Sequence, residues 1–127
     1  MDRVLLIGVG GFIGSVFRYW VSGYVQEAAR NAFFPYGTLA VNVIGCLIIG
    51  FLSELAESHG VFTAESRALV FVGLLGGFTT FSTFSNETMN LLRDGENLTA
   101  LMNAGLHLVL GVGAVWAGRA LASLIWR

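Results

Sequence analysis

Gly76-Gly77-Phe78-Thr79-Thr80-Phe81-Ser82-Thr83-Phe84-Ser85 is the stretch that decides how this chain is organised. Apolar sequence lies on both sides of it, and residues 68–92 together are long enough to cross a bilayer as a helix. The middle of this segment holds two glycines and a run of hydroxyl side chains, which hydrocarbon tolerates only where protein, water or an ion satisfies the polar groups. We therefore predict a membrane helix that is broken between Gly76 and Thr80 and that faces something polar there.

The composition of the whole chain indicates a membrane protein. Of the 127 residues, 55% are hydrophobic and 12% are charged, whereas about 25% of the residues of a soluble domain are charged. The net charge of -1 provides no basic field for nucleic acid, so we expect no nucleic-acid partner. The single cysteine, Cys46, excludes an intrachain disulfide, suggests no metal cluster and is interpreted as a small side chain that fills space in a helix.

Four apolar segments predict an all-α membrane protein with four transmembrane helices in one domain, residues 1–127. We expect the spans near residues 4–25, 37–56, 68–92 and 98–125. The pair Gly10 and Gly14 falls on one helix face and predicts close approach of another helix. Pro35 suits a helix start, and a tight turn is expected from Arg93 to Glu96. With four spans, both ends of the chain lie on one side.

The arginines give almost no preferred orientation. One side of the predicted bundle carries Arg3, Arg67 and Arg127, and the other carries Arg30 and Arg93. Orientation normally follows an excess of basic residues on the cytoplasmic side. A chain without that excess can insert in either direction, so an antiparallel pair is expected, and four short helices favour a homodimer if there is to be a pore.

Polar residues inside the spans allow two interpretations each. Arg18 either snorkels to the interface or raises the anion concentration at the mouth of a wet vestibule. Asn42 either bonds another helix or points an amide donor at a permeating ligand. Glu87 lies near the interface or at the polar end of a pore. Asn103 and His107 share a face of the fourth span, as a packing seam or as one wall of a polar track.

The broken span can hold ions in two ways. Opened carbonyls between Gly76 and Thr80 form a hard-oxygen site that suits Na⁺, and a two-fold dimer can place it on the axis. Phe78, Phe81 and Phe84 recur at every third position on one slowly drifting helix face. Because an aromatic ring has a positive edge, ring edges and hydroxyls can solvate a small anion. The alternative is a lipid-facing phenylalanine stripe whose Ser and Thr side chains bond back to the helix.

The stretch from Gly76 to Ser85 resembles the central motif of the CrcB/Fluc family of fluoride channels. Gly37-Thr38-Leu39, Val41-Asn42 and Arg18 with its aromatic neighbours match the family in order and spacing, as does Glu87. The resemblance covers the whole chain. It implies a dual-topology, antiparallel homodimer with two pores, embedded as a multi-pass protein in the bacterial inner membrane. It also implies passive export of fluoride, which relieves the toxicity of fluoride in the cytoplasm.

The resemblance further implies roles for individual residues. The backbone carbonyls of Gly76 and Thr79 resemble the ligands of a central structural Na⁺. Some relatives carry hydroxyl residues where the fourth span of this chain has Asn103, His107 and Gly111, so this wall of the track departs from the family pattern. The residues expected on the fluoride path are Phe81, Phe84, Asn42, Ser82, Thr83, Glu87, Arg18, Thr38, His107 and Asn103.

Other function classes make different demands on the sequence. A small proton-coupled multidrug exporter needs a carboxylate embedded in the first span, and residues 4–25 contain none. A non-transporting membrane subunit would use its polar residues only in helix seams and would carry no ion flux. Catalysis is not expected, because Ser82 has no evident His or Asp partner and His107 has no companion ligand for a metal.

Overall fold

The computed structural model describes residues 2–30 and 33–126, and every regular element in those ranges is helical. The elements are α1 (Arg3–Ala28), α2 (Tyr36–His59), α3 (Ala64–Arg67), a π-helix (Ala68–Leu75), α4 (Gly76–Phe78), α5 (Phe81–Arg93) and α6 (Asn97–Ile125). The third span begins at Ala64 rather than near residue 68 because α3 joins the π-helix without interruption.

Four helical stretches are long and apolar enough to cross a membrane, and they confirm the four predicted spans. They are Arg3–Ala28, Tyr36–His59, Ala64–Arg93 and Asn97–Ile125. The chain is therefore a multi-pass membrane protein. Gly95 has a φ of 78° in the turn that joins the last two spans, and its amide donates to the Leu92 carbonyl at 3.1 Å. This turn is the one expected near Arg93–Glu96.

The third span is broken as predicted, but the break is narrower than expected. Gly76 has helical dihedral angles, whereas Thr79 and Thr80 are extended. The two glycines therefore remain in the helix and do not open it. The hydroxyl of Thr80 accepts a hydrogen bond from the Thr83 amide at 3.2 Å and so caps the start of α5.

The break changes the packing partner of the third span. Its first half, the π-helix and α4, lies against α1, whereas its second half, α5, lies against α6. The other large helix contact joins α2 to α6. A continuous helix would keep one face towards one neighbour, so the two extended residues allow a single span to contact both sides of the bundle.

Glycines make the close helix crossings possible. Gly10 and Gly14 of α1 are buried, and a Cβ atom there would collide with the carbonyls of Leu69 and Leu74. This confirms the close approach predicted from their spacing. A Cβ atom on Gly77 would lie 2.7 Å from the Gly11 carbonyl. Gly77 thus serves the contact with α1 rather than the break.

Phe78 does not share a face with Phe81 and Phe84, so the prediction of one phenylalanine face from 78 to 84 is wrong. Phe78 is 9% exposed and packs with Gly14 and Leu74 beside α1. Phe81 and Phe84 line a separate cavity on the side of α6. The extended backbone at Thr79–Thr80 resets the rotation of the chain, and the helical period across residues 78–84 is lost.

One end of the α2–α6 pair is joined by ionic contacts. The guanidinium of Arg119 donates to both carboxylate oxygens of Glu57, at 2.9 and 3.1 Å. It also lies 3.4 Å from a carboxylate oxygen of Glu54. These contacts occur at the end of α2 where the sequence predicts an exit from the membrane.

Candidate functional site

A hollow lies beside the break, between α2, α5 and α6. It has a volume of about 420 Å³. Its lining brings together four residues that the sequence predicted to act on one path, namely Asn42, Phe81, Phe84 and His107. We call this hollow the phenylalanine cavity. In the part of the chain that the structure describes, its lining includes no Asp, Glu, Lys or Arg side chain.

The side chain of Asn42 fixes the break. Its Oδ1 accepts a hydrogen bond from the Thr80 amide at 2.8 Å, and its Nδ2 donates to the Thr80 carbonyl at 3.1 Å. One side chain of α2 therefore satisfies both backbone groups of a residue that has left the helix, as a non-helical segment at membrane depth requires. The interhelical bond expected of Asn42 is confirmed, whereas donation to a permeating ligand stays a prediction.

The second amide hydrogen of Asn42 points to His107. Nδ2 of Asn42 lies 3.1 Å from Nε2 of His107. Nδ1 of His107 lies 3.0 Å from the carbonyl oxygen of Asn103. A carbonyl only accepts and an amide nitrogen only donates, so the imidazole carries its proton on Nδ1 and accepts at Nε2. The imidazole is neutral in this arrangement.

The two phenylalanines of the cavity differ in their surroundings. The Phe84 ring lies 4.1 Å from the His107 ring, centroid to centroid, at an interplanar angle of 39°. The Phe81 ring lies 5.5 Å from the Phe84 ring. Phe81 is 79% exposed in the single chain, so its outer face is available to lipid or to a second copy.

A second, smaller chamber lies on the other side of Thr80. Its volume is about 220 Å³, and we call it the arginine chamber because Arg18 lines it. Among the described residues, no carboxylate is within ion-pairing distance of Arg18. The rest of its lining is mostly hydroxyl residues: Ser15, Tyr19, Ser22, Thr38, Val41, Thr80 and Thr83. Thr80 lines both hollows and separates them.

Glu87 lies next to the arginine chamber through its bond to Thr38. The Thr38 hydroxyl donates to Oε1 of Glu87 at 2.8 Å, which joins α5 to α2. The other carboxylate oxygen, Oε2, is buried and has no hydrogen-bond partner among the described residues. Glu87 also lines a third hollow together with Asn90 and Asp94. The Glu87 carboxylate thus lies between the arginine chamber and this third hollow.

Two predicted path residues lie away from these hollows. Asn103 is fully buried between α5 and α6, and its Nδ2 donates to the Thr88 hydroxyl at 2.9 Å. The Asn103 side chain therefore serves a helix seam. Ser82 is exposed near the start of α5, with its hydroxyl 3.4 Å from that of Thr80. Neither residue is among those that line the phenylalanine cavity or the arginine chamber.

The break also frees the carbonyls that were predicted to hold a cation. In an unbroken helix the Thr80 amide would bond the Gly76 carbonyl, and the Thr83 amide would bond the Thr79 carbonyl. These amides donate instead to Asn42 and to the Thr80 hydroxyl. Gly76 is exposed on the surface of the single chain. Two backbone oxygens close in sequence thus fit the hard-oxygen chemistry that Na⁺ prefers.

Sequence reasoning left out two residues of this site. Thr80 was assigned to the break and to the hydroxyls between the phenylalanines but not to the fluoride path, although Thr is a common helix-capping residue. Cys46 was interpreted as a space-filling residue, yet it lines the phenylalanine cavity. It lies one helical turn from Asn42 on α2, and this spacing alone would have placed it on the same face.

Comparison with known proteins agrees with this architecture. Residues 5–119 match the model of the family described as CrcB-like protein, Camphor Resistance (CrcB). A protein of Chlorobaculum tepidum named fluoride-specific ion channel FluC is 46% identical over all of this chain and 98% of its own length. A protein of Methanosarcina acetivorans named fluoride-specific ion channel FluC 1 is 44% identical over 94% of this chain and 89% of its own length. These matches extend over nearly the whole of each protein, and the chain belongs to the CrcB family.

Proposed function

We propose that this protein is a passive fluoride-selective channel that lets fluoride leave the cytoplasm and so lowers its toxicity. The observation that carries the proposal is the phenylalanine cavity, in which amide and aromatic groups meet without a fixed charge in the described lining. The names of the relatives from Chlorobaculum tepidum and Methanosarcina acetivorans support fluoride as the ion.

The chemistry of the cavity suits a small, strongly hydrated anion. Removing water from fluoride is the main cost of conduction, so the path must replace that water with several donors. The Asn42 amide supplies one N–H group when its hydrogen bond to His107 opens, and the edges of the Phe81 and Phe84 rings supply a weaker positive potential. A full positive charge at this point would hold the anion too tightly to release it.

The arginine chamber supplies a charged side chain, which the described lining of the phenylalanine cavity lacks. The guanidinium of Arg18 has no carboxylate partner among the described residues, so its field attracts anions from water. The hydroxyls of Thr38, Thr80 and Thr83 follow it towards the break. Fluoride therefore meets the charged chamber first, with Glu87 beside it, and the weak neutral donors of the phenylalanine cavity afterwards.

We infer that two chains assemble as an antiparallel homodimer with two pores. The near balance of Arg3, Arg67 and Arg127 on one side against Arg30 and Arg93 on the other favours insertion in both directions. The exposed ring of Phe81 needs a partner on its outer face if it is to enclose an anion, and a second copy can supply one. The freed carbonyls of Gly76 and Thr79 would hold a structural Na⁺ between the two chains.

Flux from reconstituted liposomes tests the function directly. Purified protein is placed in vesicles loaded with potassium fluoride, at the same pH on both sides, and efflux is started by valinomycin and followed with a fluoride electrode. We expect rapid loss of fluoride, and no loss of chloride from vesicles loaded with potassium chloride. Protein-free vesicles give the background.

Two other outcomes would replace the proposal by the competing functions. Absence of fluoride flux from a correctly assembled protein would indicate a non-transporting subunit. Flux that occurs only when a proton gradient is imposed would indicate a proton-coupled exporter. Equal rates for fluoride and chloride would refute the selectivity.

A further inference from the structure

We propose that fluoride binds between Asn42 and a protonated His107, so that anion binding in this chain is accompanied by uptake of a proton at Nε2. This inference rests on the proposed function, because it concerns the same cavity and the same ion.

The hydrogen bonds of Asn42 leave no free donor for an anion in the observed arrangement. One amide hydrogen is used by the Thr80 carbonyl at 3.1 Å and the other by Nε2 of His107 at 3.1 Å. The bond to Thr80 holds the break, together with the 2.8 Å bond from the Thr80 amide. The donor that can be released to fluoride is therefore the one that faces His107.

Protonation of His107 changes the hydrogen-bonding role of only one ring nitrogen. Nδ1 already donates to the Asn103 carbonyl at 3.0 Å and continues to do so in the cation. Nε2 changes from an acceptor to a donor, and it then faces the amide hydrogen of Asn42 at the same separation. Two donors that point at each other repel and move apart, and an anion that enters the widened gap accepts from both. The proton thus converts a closed hydrogen bond into an anion site.

The surroundings of His107 supply the other requirements. The Phe84 ring lies 4.1 Å from the imidazole and can stabilise an imidazolium through its face. From α2 the groups that face the cavity are Asn42 and Cys46, and from α5 they are Phe81 and Phe84. The carboxylate of Glu87 lies about one helical turn beyond Phe84 on α5 and accepts from Thr38 of α2.

The positive charge of the imidazolium is then present only when the anion binds. A permanent guanidinium in the cavity would bind fluoride and retain it, whereas an imidazolium can lose its proton and restore the bond to Asn42. The proton is taken up from water when the anion binds and returns to water when the anion leaves, so the step requires no proton gradient. Binding strength is therefore adjusted by pH rather than fixed by a permanent ion.

The test compares fluoride efflux at several pH values, equal on both sides of the vesicle, from about pH 5 to 8, the range in which an imidazole titrates. We expect the wild-type rate to fall as pH rises, by up to about tenfold per pH unit once most imidazoles are neutral. His107→Gln should remove this dependence. His59→Gln is the matched control, because His59 is the exposed last residue of α2 and should keep the wild-type profile.

A second measurement does not depend on flux. Sodium fluoride is added to weakly buffered, detergent-solubilised protein at neutral pH, and the pH of the solution is recorded. The wild type should take up protons and make the solution more alkaline, whereas His107→Gln should not. Sodium chloride serves as the control salt.

The outcomes separate this inference from the proposed function. Fluoride-selective efflux that is independent of pH, or a pH dependence that survives in His107→Gln, overturns the role of His107 and leaves the channel intact. Absence of fluoride efflux at every pH from an assembled wild-type protein overturns the channel itself.

Discussion

The side chain of Asn42 forms a closed pair of hydrogen bonds with the backbone of Thr80, one accepted at 2.8 Å and one donated at 3.1 Å. Asn42→Asp should keep the acceptor for the Thr80 amide but lose both N–H donors. We expect fluoride efflux to fall at least about tenfold, since donors to the anion are lost while a negative charge is added. Wild-type efflux in this variant would contradict donation from the Asn42 amide.

Asn42→Leu should destabilise the protein, because it leaves both backbone groups of Thr80 without their side-chain partner. Interhelical hydrogen bonds in membranes contribute roughly 0.6 kcal/mol each on average and up to about 1.7. Loss of the pair should therefore lower the free energy of unfolding by about 1–3 kcal/mol. In unfolding by increasing concentrations of a denaturing detergent, the midpoint should move to a lower concentration. The change should be larger in Asn42→Leu than in Asn42→Asp, which keeps one of the two bonds.

Phe81→Ile should abolish fluoride efflux and leave the assembled protein intact. The ring is 79% exposed in the single chain, so its removal costs little packing within that chain. Its loss removes one of the aromatic edges proposed to solvate the anion. Phe12→Ile, at a ring of α1 that is 72% exposed, is the matched control and should conduct normally. Undiminished efflux from Phe81→Ile would refute the role of the ring.

Thr38→Val should slow fluoride efflux, and Thr38→Ser should not. The hydroxyl of Thr38 donates to Oε1 of Glu87 at 2.8 Å, and the other oxygen of that carboxylate is already without a partner among the described residues. Valine keeps the volume of the Thr38 side chain but leaves the Glu87 carboxylate without this donor. The carboxylate should then turn towards the arginine chamber. Recordings with a fluoride electrode should show a roughly tenfold lower efflux rate for Thr38→Val. A decrease of this size is typical of losing one hydrogen bond to a charged group. Equal rates for the two variants would show that the bond is not required.

Gly77→Val should impair folding and assembly. A Cβ atom at this position would lie 2.7 Å from the Gly11 carbonyl and 3.1 Å from its Cα, so α1 would have to move away. Overpacking of this kind typically costs about 1–3 kcal/mol. Gly23→Val on α1 is the control, since nothing lies within 4 Å of its added Cβ. The interpretation of this contact would be contradicted if Gly77→Val gave a single sharp gel-filtration peak at the size of the assembled protein, at wild-type yield.

Removal of Na⁺ should slow efflux if the carbonyls of Gly76 and Thr79 hold that ion between two chains. Protein purified and reconstituted with N-methylglucamine in place of Na⁺ should conduct more slowly, and Na⁺ added back should restore the rate. Sodium bound by the purified protein can be measured by atomic emission. A protein without bound Na⁺ that conducts at the full rate would count against the cation site.

The sequence predicted the spans well and the break less well. Hydropathy locates long apolar helices, so the ends of α1, α2 and α6 lie close to their expected positions. Glycine was interpreted as the residue that opens a helix, but Gly77 is needed for the approach of α1. The backbone leaves the helix at Thr79 and Thr80, where Asn42 supplies the missing bonds from another span. That bond joins residues far apart in sequence, and no local pattern predicts it.

The candidate site was also predicted in part. Four residues that the sequence predicted on the fluoride path line one cavity, namely Phe81, Phe84, Asn42 and His107, and their role in conduction stays a prediction. The side chain of Asn103 lies in a seam instead, because Thr88 of α5 happens to face it. Residues four apart share a face of a helix, but that spacing does not decide which neighbour covers each of them.

The interruption at Thr79–Thr80 also gives the bundle an additional helix start half-way along a membrane span. The aligned peptide dipoles of α5 concentrate a partial positive charge, equivalent to about half an elementary charge, at the end where Phe81 begins. This charge cannot be titrated and needs no basic side chain in the lipid interior. It gives the cavity a standing preference for negative ions that mutation of any single ionisable residue would leave in place.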